Sequence, residues 1–183
     1  MATRRRLVLS AAPPALSPGG YVARAYADHV TPATAQADLA SSFEGGAWSI
    51  ALSWRAARAV RALDGDPARF VDAAALLVPT TEGAQAMTMG APGDPVEGVL
   101  WRADAERPLR IAAEGWGTVE RQPAPPQWTA TARWKDGFWY VTFRLVGWPA
   151  LDRFRRVAVA VWQGAARERA GLKSVTAQWI RLS

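Results

Sequence analysis

Two features of this chain of 183 residues carry types of side chain that can do chemistry, Lys173 and the segment Met87-Thr88-Met89-Gly90. Of the 22 basic residues, only Lys135 and Lys173 are lysines. Arginine serves wherever a surface charge is enough. It cannot offer a lone pair, because a guanidinium does not deprotonate in proteins. A lysine in Glu168-Arg169-Ala170-Gly171-Leu172-Lys173-Ser174-Val175, just after the apolar run 157–162, therefore stands out. Met87 and Met89 are two apart, so on an extended segment they face the same way. One can ligate iron while the other packs beside it. A thioether and an amine together suggest a bound metal. The plainer readings are a solvated loop lysine and methionines that fill a core.

Lysine ligation has a cost that the fold must meet. Stripping the proton from a free amine with a pKa of about 10.4 at pH 7 costs roughly 4–5 kcal/mol. An apolar pocket lowers that cost by disfavouring the charged form. Metal binding at such an amine releases a proton.

Composition removes most other chemistry. The chain has no cysteine, which excludes disulfides, Cys-ligated zinc, iron–sulfur clusters and thioether-attached haem. Its one histidine, His29, cannot make a bis-His or His-rich site. No P-loop, no Gly-x-Ser-x-Gly elbow and no strand-borne Gly-x-Gly-x-x-Gly occurs. The pairs Asp64/Asp66 and Asp94/Glu97 lie in turn-rich segments and read as solvated carboxylates. No catalytic residue is assigned. The net charge of +6 comes from scattered arginines, with runs only at 4–6 and 153–156. Without a recognition motif, that pattern gives no expectation of a nucleic-acid partner. No stretch reaches the roughly 20 apolar residues of a membrane helix.

The elements that must hold the site are mostly strands. Trp48, Ile50, Leu52 and Trp54 alternate with small polar residues. So do Trp128, Ala130, Ala132 and Trp134, and so do Trp139, Val141, Phe143 and Leu145. A period of two predicts strands with one buried face. Residues 157–162 are apolar on both faces and predict a central strand, and Val175, Ala177 and Trp179 a last one. Gly45-Gly46, Asp64-Gly65-Asp66-Pro67, Pro92-Gly93-Asp94-Pro95 and Lys135-Asp136-Gly137 mark turns, the last a hairpin. Residues 122–126 read as a loop. Helix is expected only as a turn or two at 56–63 and at 165–169. Residues 1–20 are either a poorly ordered, signal-like segment or the site of a first strand. The whole reads as a single all-β domain over 1–183, an antiparallel β-sandwich with a few short helices. Ten tryptophans are enough to fill a core and still line a flat ligand, a sugar ring or a porphyrin.

The chain resembles the haem b-binding gamma subunits of type II molybdenum enzymes of the dimethyl sulfoxide reductase family, such as ethylbenzene dehydrogenase, dimethyl sulfide dehydrogenase, selenate reductase and chlorate reductase. The residues that carry the likeness are Val157-Ala158-Val159-Ala160-Val161-Trp162-Gln163-Gly164, then Glu168-Arg169, Lys173-Ser174-Val175 and Trp179. A second set is Val71-Asp72-Ala73-Ala74-Ala75, Met89-Gly90, Pro95-Val96 and Trp101-Arg102-Ala103-Asp104. A third is Asp136-Gly137-Phe138-Trp139 with Val141 and Phe143-Arg144. Together they span roughly 45–183. The family's Trp-Asp-Gly is Trp162-Gln163-Gly164 here, and its Ser-Val-Ser-x-Trp ending is Ser174-Val175-Thr176-Ala177-Gln178-Trp179.

The resemblance implies one non-covalent haem b with axial ligands Met89 and Lys173, Met87 being the alternate thioether. Arg102 and Arg169, each near one of these ligands in sequence, are candidate partners for the haem propionates, and Trp101 is a further cofactor-binding candidate. The implied role is electron transfer by a subunit that is not itself the catalyst. It would relay electrons to or from an iron–sulfur beta subunit, beside a molybdopterin-containing alpha subunit, in the periplasm. A rival reading is a carbohydrate-binding sandwich without haem, which would use exposed tryptophans. A further one pairs His29 with Met89.

Overall fold

The computed structural model describes residues 3–13, 30–62, 65 and 70–183. The strands in chain order are β1 (Thr3–Val8), β2 (Ser10–Ala11), β3 (Gln36–Glu44), β4 (Ala47–Arg55), β5 (Ala73–Pro79), β6 (Val96–Arg102) and β7 (Leu109–Ala113). They continue as β8 (Glu120–Pro123), β9 (Thr129–Lys135), β10 (Phe138–Val146), β11 (Arg156–Trp162), β12 (Ser174–Val175) and β13 (Ile180–Arg181). One sheet has the order β1-β3-β4-β10-β9. The other runs β2-β12-β11-β5-β6-β7-β8, with β13 beside the start of β11. The fold is an antiparallel β-sandwich. No helix among the described residues is long and apolar enough to cross a membrane.

The first sheet behaves as its alternation predicts. Trp48, Ile50, Leu52 and Trp54 of β4 are buried, as are Trp139, Val141, Phe143 and Leu145 of β10. Two hairpins fix its register. Gly45 and Gly46 both have positive φ, as do Asp136 and Gly137. These are two-residue turns whose twist matches that of the strands they join. In β9 the expected phase is weaker: Ala130 and Trp134 are half-buried and Ala132 is exposed. Trp128 is buried but precedes the strand.

The second sheet has no wet face across its centre. On β5, Ala74, Leu76 and Val78 face the first sheet, while Ala73, Ala75 and Leu77 face a second cluster on the far side. On β11, Val157, Val159 and Val161 point inward and Ala158 and Ala160 outward. Such strands read as continuous apolar runs because both faces are covered. The inter-sheet core is rich in indole: the Trp101 and Trp139 ring centroids are 5.0 Å apart, and Trp54 lies 6.2 Å from Trp101.

Asp72 ties this core to the loops. It is buried, and its Oδ2 accepts hydrogen bonds from Trp139 Nε1 and from the Val60 amide, both at 2.8 Å. Its Oδ1 accepts from the Gly164 amide at 2.8 Å. A Cβ at Gly164 would fall 1.7 Å from the Phe70 carbonyl oxygen, so only glycine fits there.

Several local expectations are corrected. Residues 56–62 are not helical. Their backbone bonds go elsewhere: Val60 exchanges with Asp72, and the Ala56 carbonyl accepts from Trp134 Nε1. The turn at 165–169 is a single 3-10 turn, Gly164–Ala166. Among the described residues the α-helix is instead α1 (Pro149–Phe154), with proline in its first turn. Residues 122 and 123 belong to edge strand β8, and only 124–126 form the loop. Ser174–Val175 and Ile180–Arg181 are strands, but Ala177 and Trp179 are not. Thr3–Val8 is a strand against β3. Residues 14–29 and most of the 64–67 turn lie outside the described residues.

Removing the Asp72 carboxylate should leave two buried donors and the half-buried Val60 amide without acceptors, each buried one costing about 1–3 kcal/mol. Asp72→Ala is expected to lower stability by about 3 kcal/mol or more in urea unfolding. Asp72→Asn, which keeps one oxygen, should lose less. Equal, small losses in both variants would show that the carboxylate does not tie the loops to the core.

Candidate functional site

The outer face of the second sheet is floored by small side chains, among them Ala73, Ala75, Ala158 and Ala160. Three connections fold over it: residues 80–95, 114–119 and 163–173. Between them and the sheet lies a mainly apolar cavity of about 600 Å³. Val71, Ala73, Leu100 and Ile111 line its sheet side, and Trp116, Val119 and Trp162 its walls.

Met89 enters this cavity from a turn. Its φ is 58°, and that of Gly90 is 81°. A left-handed methionine is disfavoured by about 1–2 kcal/mol. Neighbouring bonds hold it there: Met89 N donates to the Ala86 carbonyl at 3.1 Å, Gly90 N to Gln85 at 2.9 Å, and Gly115 N to the Met89 carbonyl at 2.9 Å. At Gly90 a Cβ would sit 2.6 Å from the Asp94 carbonyl oxygen, so the turn needs glycine. Residues 86–89 are therefore not extended. Met87 is half-buried, lies outside the cavity lining and accepts from Trp116 Nε1 through its carbonyl at 2.8 Å.

Lys173 approaches from the other side, one residue before β12. Its carbonyl accepts from Ala12 N at 2.9 Å. The preceding loop is pinned by the buried Glu168, whose carboxylate accepts from Gln163 N (2.8 Å), Ser174 Oγ (3.1 Å) and Ala33 N (3.3 Å). Burial pushes the Glu168 carboxyl above its ordinary range, against the pull of these hydrogen bonds.

The Lys173 Nζ lies 3.2 Å from the Met89 Sδ, and both residues are buried. The amine is also 5.4 Å from the Trp116 ring centroid and 5.3 Å from that of Trp162. Each indole is fixed in place, Trp162 Nε1 by the Ala170 carbonyl at 3.1 Å and Trp116 Nε1 by Met87. Ring faces attract an ammonium. Burial pulls the Lys173 pKa down to about 8, and the Arg121 guanidinium pushes it the same way.

Of the residues singled out from the sequence, Met89 and Lys173 meet, and Arg102 and Arg169 line the cavity. Arg102 forms a two-pronged bond to Asp104, at 3.0 and 2.7 Å. Arg169 lies over the Phe70 ring at 4.9 Å. Trp101 is not at the site. It occupies the inter-sheet phase of β6, opposite in direction to Leu100 and Arg102. His29 lies outside the described residues. Sequence reading missed Trp116, Trp162, Glu168 and Arg121 as cavity residues. Trp162 and Glu168 stood inside the family-like motif. Trp116 was marked only by its flanking glycines. Arg121 carried no signal, because its place depends on the pairing of β8 with β7.

Among the described residues no three His, Cys, Asp or Glu side chains converge as a metal cluster. No tryptophan is exposed: six are buried and four half-buried. The sugar-stacking platform that the carbohydrate reading needs is therefore not present among them.

No protein-family model matches the chain. It is 37% identical over 139 residues to a Haloferax mediterranei protein named as a respiratory nitrate reductase heme subunit (ORF7), covering 71% of this chain and 49% of that one. It is 32% identical over 143 residues to the chlorate reductase subunit gamma of Ideonella dechloratans, covering 73% of this chain and 58% of that one. The chain thus spans about half the length of the curated relatives it matches. A family 9 carbohydrate binding module from Caldicellulosiruptor kristjanssonii, solved in complex with glucose, superposes with a TM-score of 0.43 at 10% identity, over 81% of this chain and 69% of that one; this likeness is too distant to bear on the ligand. The two sequence relatives are redox-enzyme subunits by name, and one of them is named for haem.

Proposed function

We propose that this chain is an electron-transfer subunit that binds one haem b, non-covalently, with Met89 and Lys173 as axial ligands. The observation that carries the reading is the contact of a buried amine with a buried thioether, from residues 84 apart, inside an apolar cavity. The name of the Haloferax mediterranei relative supports the haem, and both names support a reductase complex.

The site's chemistry fits a metalloporphyrin. The cavity volume lies in the range of small-molecule pockets, about 300–1,000 Å³. Ala73, Leu100 and Ile111 give it an apolar floor, and Trp116 and Trp162 offer ring faces beside it. First-row metal bonds to nitrogen and sulfur of about 2.1 and 2.3 Å, end to end, exceed the observed 3.2 Å by roughly 1 Å. Lys173 and Met89 must part by that much, which is within reach of two unbranched side chains with several rotatable bonds.

Haem held here would supply one-electron chemistry. The chain's residues set its conditions. Both proposed ligands are neutral, and the Met89 thioether, a soft donor, favours reduced iron. Met89 and Lys173 would together hold the group and leave no ligand position for substrate, so the site would serve transfer rather than catalysis. Lys173 is prepared for the task by burial: with a pKa of about 8, losing its proton at pH 7 costs about 1.4 kcal/mol rather than roughly 4–5 kcal/mol. In the same proposal the partners are a molybdopterin-containing subunit and an iron–sulfur subunit, and the compartment is the periplasm.

Purified protein reconstituted with haemin should show a low-spin, six-coordinate spectrum. Met89→Ala and Lys173→Ala should each turn it high-spin or lose the haem, whereas Met87→Ala should not. Unchanged spectra in both ligand variants would falsify the assignment.

The pH dependence has a definite sign. Ligation requires the neutral amine, which is the minor form below about pH 8 and the major form above. Haemin affinity of the wild type, relative to Lys173→Met, should rise about tenfold per pH unit up to roughly pH 8 and then level off. A flat ratio between pH 6 and 9 rules out Lys173 as a ligand.

A further inference from the structure

Four cationic side chains line the cavity: Lys173, Arg102, Arg121 and Arg169. One carboxylate, Glu168, faces them, and its oxygens already accept three hydrogen bonds. Arg102 is chelated by Asp104. Arg121 differs: among the described residues it makes no ion pair and no hydrogen bond, and it is exposed.

Its place is set by strand pairing. Arg121 stands opposite Ile111 in the β7–β8 ladder, so the two side chains leave the same face of the sheet. Ile111 lines the cavity on that face. β8 is the last strand of its sheet, and all four of its residues are exposed. An unpaired guanidinium thus stands at the open rim of an apolar cavity whose buried interior holds the Lys173–Met89 pair.

We infer that Arg121 binds the carboxylates of the cavity's ligand, fixing an amphipathic, anionic ring with its charged edge outward at the β8 rim. The inference rests on the haem reading and adds to it an orientation: the propionate edge lies at β8. The reason is geometric as well as electrostatic. A planar guanidinium with parallel N–H donors matches a carboxylate two-to-two, which an ammonium does not. A porphyrin dicarboxylate entering an apolar pocket keeps its ionised end in water and its apolar edge inside, since burying an unpaired carboxylate is costly. The rim with an unengaged cation is where that end gains most.

The test compares haemin with haemin dimethyl ester, which has the same ring and no ionised carboxylate. Haemin should leave Arg121→Gln roughly tenfold faster than it leaves wild type, as expected for loss of one charge-assisted hydrogen-bonded contact. For the dimethyl ester the two proteins should agree to within about twofold. Arg121→Lys should fall between them with haemin. Dissociation is read by transfer of the porphyrin to an excess of apomyoglobin, and the thermal melting of the apo-protein shows whether Arg121→Gln is folded. Equal haemin rates in wild type and Arg121→Gln overturn the inference while leaving the haem reading intact. So does an equal loss for haemin and its ester, which would mean that Arg121 acts on the fold. A wild-type chain that takes up neither porphyrin refutes the haem reading itself, and this inference with it.

Discussion

Strands β5 and β11 are apolar on both faces, so the second sheet cannot leave either face to water. One face packs on the first sheet. The other must be roofed by whatever chain is left over, and the connections 80–95, 114–119 and 163–173 do this. Irregular backbone makes a poor lid, because its amides and carbonyls need partners. Much of the polar chemistry of the molecule answers that need. Glu168 accepts from the Gln163 amide at one end of its loop, the Ser174 hydroxyl at the other and the Ala33 amide, Asp72 gathers the Val60 and Gly164 amides and the Trp139 indole onto one buried carboxylate, and the indole N–H groups of Trp116, Trp162 and Trp179 each bond a loop carbonyl. The cavity is the space that such a roof leaves over Ala73, Leu100 and Ile111.

Lys173 is costly in that setting. A buried ammonium without a carboxylate partner is disfavoured, and the two indole faces compensate only in part. Burial and the Arg121 guanidinium both depress its pKa. The same desolvation that destabilises the cation makes the amine a donor near neutral pH. Met89 carries a second local cost in its left-handed backbone, held by three hydrogen bonds around the turn. Strain of this kind persists where the surrounding structure over-determines it, and it tends to cluster at sites with a task. Two disfavoured arrangements meet at one sulfur–nitrogen contact: a leucine at 173 would avoid the buried amine, and a glycine at 89 the left-handed strain.

Electrostatics divides the cavity by depth. Thioether, amine and aliphatic groups occupy its interior, and guanidinium groups its rim. An apolar, flat ligand with an anionic edge matches both zones at once. The tryptophans that the carbohydrate reading needs on the surface are instead in cores or walls.

Alternation of two along β4 and β10, glycine pairs at hairpin turns and the doubly apolar run of β11 were all legible in the chain, because each depends only on neighbours within one or two strands. The same is true of Lys173: an isolated lysine among arginines is a compositional fact. Residues 56–62 misled because alanine favours helix only when nothing else competes for the backbone, and Asp72 and Trp134 compete here. Trp101 misled because the phase of β6, not its closeness in sequence to Arg102, decides which face a side chain takes. That Met89 reaches Lys173 across 84 residues, that Met87 does not, and that Arg121 stands at the same cavity are outcomes of sheet register and loop closure. The sequence by itself determined the sandwich and the unusual donors. Only the tertiary structure decided which donors meet, because long-range pairing is set by the packing of both sheets at once and no local pattern encodes it.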